Sequence, residues 1–373
     1  MSLPHIKRIL PLIIAVTATV LGMCGSQSAE AASAAKKTVL HVVGWDVYAD
    51  PDHHNKTIGY KSFEEKFGVS IEFTPLNTLD EILNAAEGSE KFDVIIVSNE
   101  GIKILQGMGM VLPLDLKNIP NYQDLHPRLR YTEWSQFDGK VFAVPWAWGP
   151  TGLLYDASAL AEPDSWNVLW DAKYRGKVSL WDDVSVIWVT ALSLGYKNVY
   201  NLTKRQLSEV KKKLFSLNTQ ISAYYAGEQD EIKLIQDGKA VLLDSWFDPS
   251  SRLRKRSLNY KMVIPKEGAV GMFDSYLIKS GSKNTALAYQ FINHQISPQT
   301  QQKMVRITGL GPANIETLTL LTPQEIKDLH LGEADYFSRM LLWDVMPRKQ
   351  LYEALMEEVH KDYQLKQKRR TGN

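Results

Sequence analysis

Short apolar runs alternate with longer amphipathic stretches through most of the chain, and each run tends to end in a polar, ring-bearing cluster. Val39-Leu40-His41-Val42-Val43 predicts a strand that ends at Gly44-Trp45-Asp46-Val47-Tyr48. Gly59 to Phe67 carries Tyr60, Phe63 and Phe67 on one helical face, Gly68 stops it, and Val69 to Phe73 alternates as a strand. Leu79 to Ala86 is the next helix, and the continuous run Asp93-Val94-Ile95-Ile96-Val97 suits the middle of a parallel sheet. It ends at Ser98-Asn99-Glu100-Gly101, where Ser98 is equally suited to capping a helix from Ile102 or to facing a ligand. Strand, helix, strand, helix, strand in this order predicts a βαβ sheet with right-handed crossovers.

The centre of the pattern is Lys140 to Tyr155, a β-branched run that meets Pro145, Trp146 and Trp148 and then Gly149-Pro150 before resuming as Gly152-Leu153-Leu154-Tyr155. Two strands around a Gly-Pro break predict a passage from one compact unit into the next. The two indoles are either core packing or the wall of a cleft. Beyond it come a strand Lys177 to Trp181 delivering Asp182-Asp183, helices over Val186 to Leu194, Thr203 to Leu217 and Glu228 to Gln236, and a strand Ala240 to Leu243 ending at Asp244-Ser245-Trp246-Phe247-Asp248. A strand Tyr260 to Ile264 precedes Pro265 to Phe273, read as the return crossing, and Tyr276-Leu277-Ile278 is the last predicted strand. The remainder reads as helical, with Asn284 to Gln295 amphipathic, a long terminal helix near Arg348 to Tyr363, and a frayed basic tail from Lys366 to Arg370.

At 373 residues the chain is too long for one ordinary core and suits two domains of roughly 150 to 170 residues. A net charge of +1 gives no electrostatic reason to expect nucleic acid or an anionic membrane as partner. The first 31 residues read as an export signal, with Lys7 and Arg8 before the apolar run Ile9 to Met23 and small residues around Ala29-x-Ala31. The mature protein is therefore expected to be secreted. The one cysteine, Cys24, lies inside the signal; Leu21-Gly22-Met23-Cys24 is spaced like a lipoprotein box, but Met23 is larger than such a box normally accepts. Cleavage after Ala31 leaves no thiol, which excludes disulfides, thiolate catalysis and cysteine-held metal together.

Candidate chemistry sits at strand ends: Trp45-Asp46-Tyr48, Ser98-Asn99, Asp182-Asp183, Trp246 and Phe273-Asp274. Taken singly, each reads as a helix cap beside a core aromatic. Brought to one cleft, they make a box of rings with carboxylates at its ends, which suits an organic cation. Ring faces attract ammonium groups by roughly 0.5 to 2 kcal/mol each, and a carboxylate adds a charge-assisted hydrogen bond.

The stretches Trp45-Asp46-Val47-Tyr48, Phe92 to Ser98, Val144 to Thr151, Ser165 to Trp170, Tyr174-Arg175-Gly176-Lys177, Asp182-Asp183 and Pro265 to Ser275 occur together in order. On them the chain, from about Val39 onward, resembles the periplasmic spermidine/putrescine-binding proteins, the extracellular solute-binding receptors of ABC importers. The resemblance implies an α/β, two-lobed, type II periplasmic binding protein-like fold with mixed sheets flanked by helices and a ligand cleft between the lobes. Residues 37–147 with 266–320 would form one lobe, 148–265 the other, and 321–373 a C-terminal helical segment. It further implies a monomer that needs no cofactor, catalyses nothing, binds a polyamine or related amine and docks on a membrane permease. Trp45, Tyr48, Ser98, Asp183, Trp246 and Asp274 fall at ligand-contact positions; Asp46, Asn99 and Phe273 join them from the same clusters. Asp274 would hold an ammonium head, Asp183 would face it, and Trp45 and Trp246 would enclose the aliphatic chain. Several positions depart from the pattern: Val186 replaces a second acid, Val47 an acid, Met272 an aromatic and Glu100 a tyrosine. A shorter diamine, a monoamine or a zwitterionic amine fits the redrawn box as well.

Two other readings compete. Tyr224-Tyr225 is an adjacent phenol pair of the kind that binds Fe(III), with His53 or Asp46 to assist, which gives a ferric-ion receptor. An enzyme on the same fold would need a nucleophile, and the sequence holds no Gly-x-Ser-x-Gly and no mature cysteine.

Overall fold

The computed structural model describes residues 37–48, 58–88, 91–246, 249–333 and 335–371. The segment expected to be an export signal, with Cys24, the pair His53-His54 and the residues Phe247 and Asp248 lie outside the described residues. Strand β1 (Val39–Trp45) runs parallel to β2 (Ser70–Leu76) and β3 (Val94–Ser98), with α1 (Tyr60–Phe67) and α2 (Leu79–Gly88) as the crossovers. Every residue of β3 is buried, as its unbroken apolar sequence requires of a central strand. The helix α1 starts at Gly59, which sits at φ 85° so close to Thr300 that a Cβ would fall 2.5 Å from its methyl; only glycine fits there. Helix α3 (Asn99–Gly107) follows β3 directly.

After a small hairpin of β4 (Gln136–Phe137) and β5 (Lys140–Val141), β6 (Val144–Asp156) runs for 13 residues without a break. The expected turn at Gly149-Pro150 is absent. What changes there is the partner: Val144 to Pro150 pair with β11 (Ala269–Ile278), and Thr151 to Tyr155 pair with β9 (Leu242–Trp246). Pro150 lacks an N–H, and a strand tolerates that loss best where one ladder stops and another begins. Trp146 and Trp148 are both core residues rather than cleft walls. Their indole N–H groups are spent inside, Trp146 on the Gln295 carbonyl at 3.2 Å and Trp148 on the Pro312 carbonyl at 2.9 Å. Gly311 lies flat against the Trp148 indole, where a Cβ would meet the ring at 2.3 Å.

The other half of the sheet holds β7 (Val178–Trp181), parallel to both β8 (Ile221–Tyr225) and β9, and β10 (Tyr260–Val263), antiparallel to β6. Helix α4 (Ser185–Ser193) is buried along nearly its whole length. Helix α5 (Lys204–Leu217) opens with a capping box between Thr203 and Gln206, and α6 (Glu228–Gln236) and α7 (Ser250–Lys255) complete this half. The chain then crosses back through Pro265 to Gly268 into β11.

Helices α8 (Thr285–Gln295) and α9 (Pro298–Thr308), the short β12 (Gly311–Pro312) on β6, and α10 (Pro323–Asp328) follow. Strand β13 (Met340–Leu342) pairs in parallel with β11, and α11 (Lys349–Thr371) packs on α5. The basic tail is helical rather than frayed, because Lys366 is tied to Asp362 at 2.6 Å and to the Phe215 carbonyl at 2.5 Å. Apart from the β4–β5 hairpin, the strands form one mixed sheet whose main path runs β2-β1-β3-β11-β6-β9-β7-β8, and β6 is the strand that pairs with both halves.

Candidate functional site

A cleft of about 540 Å³ opens where strands of both halves end. From the first half, Trp45, Asp46 and Val47 line it after β1, Ser98 after β3, and Met272 and Asp274 from β11. From the second half come Trp181 and Asp183 after β7, Trp246 at the end of β9, Glu231 on α6 and Arg252 on α7. Trp343 closes it from the residue after β13.

Asp274 is in the middle of β11, not at a strand end as expected. The pairing of β11 with β6 slips between Asp274 and Ser275, a bulge that breaks the ladder beside the carboxylate. Only 3% of Asp274 is exposed; its Oδ1 accepts from the Trp45 indole at 3.0 Å and its Oδ2 from the Tyr48 hydroxyl. Burial pushes the Asp274 carboxyl up to about 7, although both hydrogen bonds pull it down. An ionised Asp274 in the empty cleft therefore has donors but no counter-charge within this set of contacts.

Strand alternation fixes its neighbours. Met272 faces the cleft with Asp274, while Phe273 points to the other side, fully buried and edge-on to Trp134 at 5.9 Å. Phe273 is thus not a wall of the cleft. Neither is Tyr48, which stands behind Asp274, buried and edge-on to Trp146 at 4.5 Å. Asn99 is also interior; its amide donates to the backbone carbonyl of Trp343 and so ties the chain after β13 to the start of α3. Ser98 occupies the N-cap position of α3, makes no side-chain cap hydrogen bond and lines the cleft. Beside it, burial together with the charges of Asp274 and Asp344 raises Glu100 to about 7.

On the second wall, Asp183 accepts the Ser185 N–H at 2.6 Å and a hydrogen bond from the Trp246 side chain. Burial still holds its carboxyl above the usual range. Asp182, its neighbour, turns away and pairs with His360 of α11 at 2.6 Å. Trp246 and Trp343 meet edge to face at 5.1 Å, and Trp188 braces Trp343 at 5.5 Å. Val186 is buried in α4 and does not reach the cleft.

The adjacent phenols do not form a metal pair. Successive strand residues face opposite ways: Tyr224 donates to Asn218 and packs on Tyr363 of α11, whereas the Tyr225 hydroxyl lies 2.6 Å from the Asp244 carbonyl and 3.1 Å from Glu231, its one proton shared between them. Among the described residues, no group of three or more His, Cys, Asp or Glu side chains is arranged to hold a metal.

Sequence reasoning missed Trp343, Arg252 and Glu231. Met340-Leu341-Leu342-Trp343-Asp344 carries the same apolar-run, ring, acid signature as the other clusters, so Trp343 was findable. Arg252 and Glu231 lie on short helices whose sequence gives no such sign.

Residues 60–330 match the family model of the bacterial extracellular solute-binding proteins. The chain belongs to this family. Among curated relatives, this solute-binding protein is 26% identical over 287 residues to the putrescine-binding periplasmic protein PotF of Escherichia coli, covering 71% of this chain and 75% of that one. It is 23% identical to the spermidine/putrescine-binding periplasmic protein of Salmonella typhimurium, covering 86% of this chain and 88% of the relative. Among solved structures, a putative spermidine/putrescine ABC transporter protein from Listeria monocytogenes superposes with a TM-score of 0.73 at 23% identity, over 87% of this chain and 99% of that one. The fold is accordingly the two-lobed α/β fold of periplasmic binding proteins.

Proposed function

We propose that the protein is the periplasmic receptor of an ABC importer and binds a small organic cation, a polyamine or related amine, between its lobes. One observation carries this reading: a buried carboxylate, Asp274, oriented by Trp45 and Tyr48, opens onto a cleft whose opposite wall presents Asp183 and Trp246. An ammonium on Asp274 would supply the counter-charge, and the indoles would cover the methylenes between the ligand's ends. The printed names of the curated relatives are in keeping with this ligand class. No feature favours the ferric reading.

In this reading residues 37–147 with 266–320 and residues 148–265 are the two lobes, and closure pivots where β6 exchanges β11 for β9. The closed form docks on a permease as a monomer, and the chain itself turns nothing over. Export through the signal at 1–31 delivers it to the periplasm, with Cys24 lost unless it is lipidated.

Calorimetric titration with putrescine, cadaverine and spermidine tests the proposal. Saturable one-to-one binding accompanied by a change in tryptophan fluorescence is expected. A protein inert to every amine, or one that turns coloured with ferric salts, would overturn it.

A further inference from the structure

Ser98 on β3 and Asp274 on β11 are direct partners across the sheet, so their side chains share a face with Cβ atoms about 5 Å apart. Both line the cleft, and both are nearly closed to solvent, at 1% and 3% exposure. Asp274 is supplied with donors by Trp45 and Tyr48, whereas Ser98 Oγ has no hydrogen-bond partner among the described residues. Two residues further, in the first turn of α3, Glu100 Oε2 is equally shut in and equally without one. The Ser98 hydroxyl stands near that carboxyl without the geometry of a formed hydrogen bond. No lysine or arginine pairs with Glu100 among the described residues; Lys103, one turn along α3, is taken by Asp344 at 2.7 Å. Tyr200 turns its hydroxyl to the Leu341 carbonyl at 3.0 Å. Two adjacent buried polar atoms left unsatisfied call for an explanation.

A hydroxyl has one proton to give and two lone pairs to offer. Standing between two acids, Ser98 has two places for that proton. Donated to Asp274, it fills an oxygen that an ammonium needs. Donated to Glu100, it leaves Asp274 open and turns the Oγ lone pairs towards the cleft, where an ammonium brings three N–H donors. With a cation bound, the second arrangement satisfies both unpartnered atoms at once. The plainer reading is that Glu100 serves α3, as an acid favoured in a helix's first turn. That role leaves Ser98 unexplained.

We propose that Glu100 is a positioning residue, holding the Ser98 proton away from Asp274 so that hydroxyl and carboxylate accept from the same ligand ammonium. The inference rests on the cation-binding reading of the cleft and deepens it: the socket for the ligand's nitrogen is the Ser98–Asp274 pair, backed by Glu100.

A double-mutant cycle of Glu100→Met and Ser98→Ala, read by calorimetry with cadaverine at pH 8 on the intact protein, tests it. Methionine keeps the length of the side chain and removes the acceptor. With Ser98 present, Glu100→Met is expected to weaken cadaverine about tenfold, because the Ser98 proton then falls on Asp274. With Ser98→Ala in place there is no proton to hold, and the same substitution should cost no more than about threefold. A loss of equal size in both backgrounds overturns the inference, since Glu100 would then act only as a nearby charge, and leaves the cation reading intact. Unchanged affinity overturns it too; a lowered melting temperature alongside would make Glu100 a residue of α3 alone. Should Glu100→Met fold poorly, Ser98→Ala by itself decides: it is expected to weaken cadaverine about fivefold or more, and wild-type affinity in that variant overturns the inference. A wild type that binds no amine overturns both readings.

Discussion

Asp274→Asn is expected to weaken binding of an ammonium ligand by about 2 kcal/mol or more, roughly thirtyfold, since a charge-assisted contact is lost in a nearly closed environment. The amide is isosteric and keeps an oxygen for the Trp45 indole or the Tyr48 hydroxyl, so the cleft should hold its shape. The apo protein should not suffer. Burial disfavours the carboxylate at Asp274, and a neutral amide removes that cost; the variant is expected to melt at or above the wild-type temperature at pH 8. Binding by calorimetry and thermal unfolding of the empty protein check the two halves of this prediction. Unchanged affinity would take Asp274 out of the site, and a collapse in melting temperature would make it a structural residue.

The second large effect is on pH. Only the ionised carboxyl holds an ammonium, and burial pushes the Asp274 carboxyl up to about 7. A bound cation draws that value down, so affinity is complete well above pH 7 and falls as pH drops through it, approaching tenfold per pH unit below. Stability of the empty protein runs the opposite way. The folded-state pKa lies above the unfolded one, so the native state takes up the proton first. Apo stability therefore rises as pH falls from 8 through 7 towards the unfolded value near 4. Burial also raises Glu100 to about 7, with the charge of Asp274 as a smaller contribution. Titrations from pH 8.5 to 5.5 (about one and a half units either side of the expected midpoint) should show this fall, and Asp274→Asn should flatten it. A pH-independent affinity would contradict the account.

Much of this was legible in the sequence for a specific reason. Strand ends announce themselves as an apolar run followed by rings and acids, and Trp45, Ser98, Asp183 and Trp246 all follow that rule into the cleft. The rule fails where a side chain's direction depends on pairing. Phe273 and Asp274 are neighbours in sequence, yet the pleat of β11 sends one to the core and the other to the cleft. Tyr48 and Asn99 belong to the right clusters but stand one layer back, Tyr48 on the Asp274 carboxylate and Asn99 on the Trp343 backbone carbonyl.

At the centre, local propensity misled: Gly149-Pro150 reads as a break, but strand exchange across the sheet absorbs both residues within β6. The two indoles beside it found buried carbonyls and needed no cleft. Arg252 was invisible for a different reason. Its contact with the Thr308 carbonyl depends on α9 reaching across from elsewhere in the chain, which no local pattern records.

The claim beneath all of this is that one carboxylate, Asp274, receives the positive end of the ligand between facing indoles. A crystal structure with putrescine or cadaverine, whichever titrates more tightly, tests it most directly. The account predicts an ammonium nitrogen about 2.8 Å from Asp274 with its methylenes between Trp45 and Trp246. An amine bound elsewhere, with Asp274 still contacted only by Trp45 and Tyr48, would contradict it.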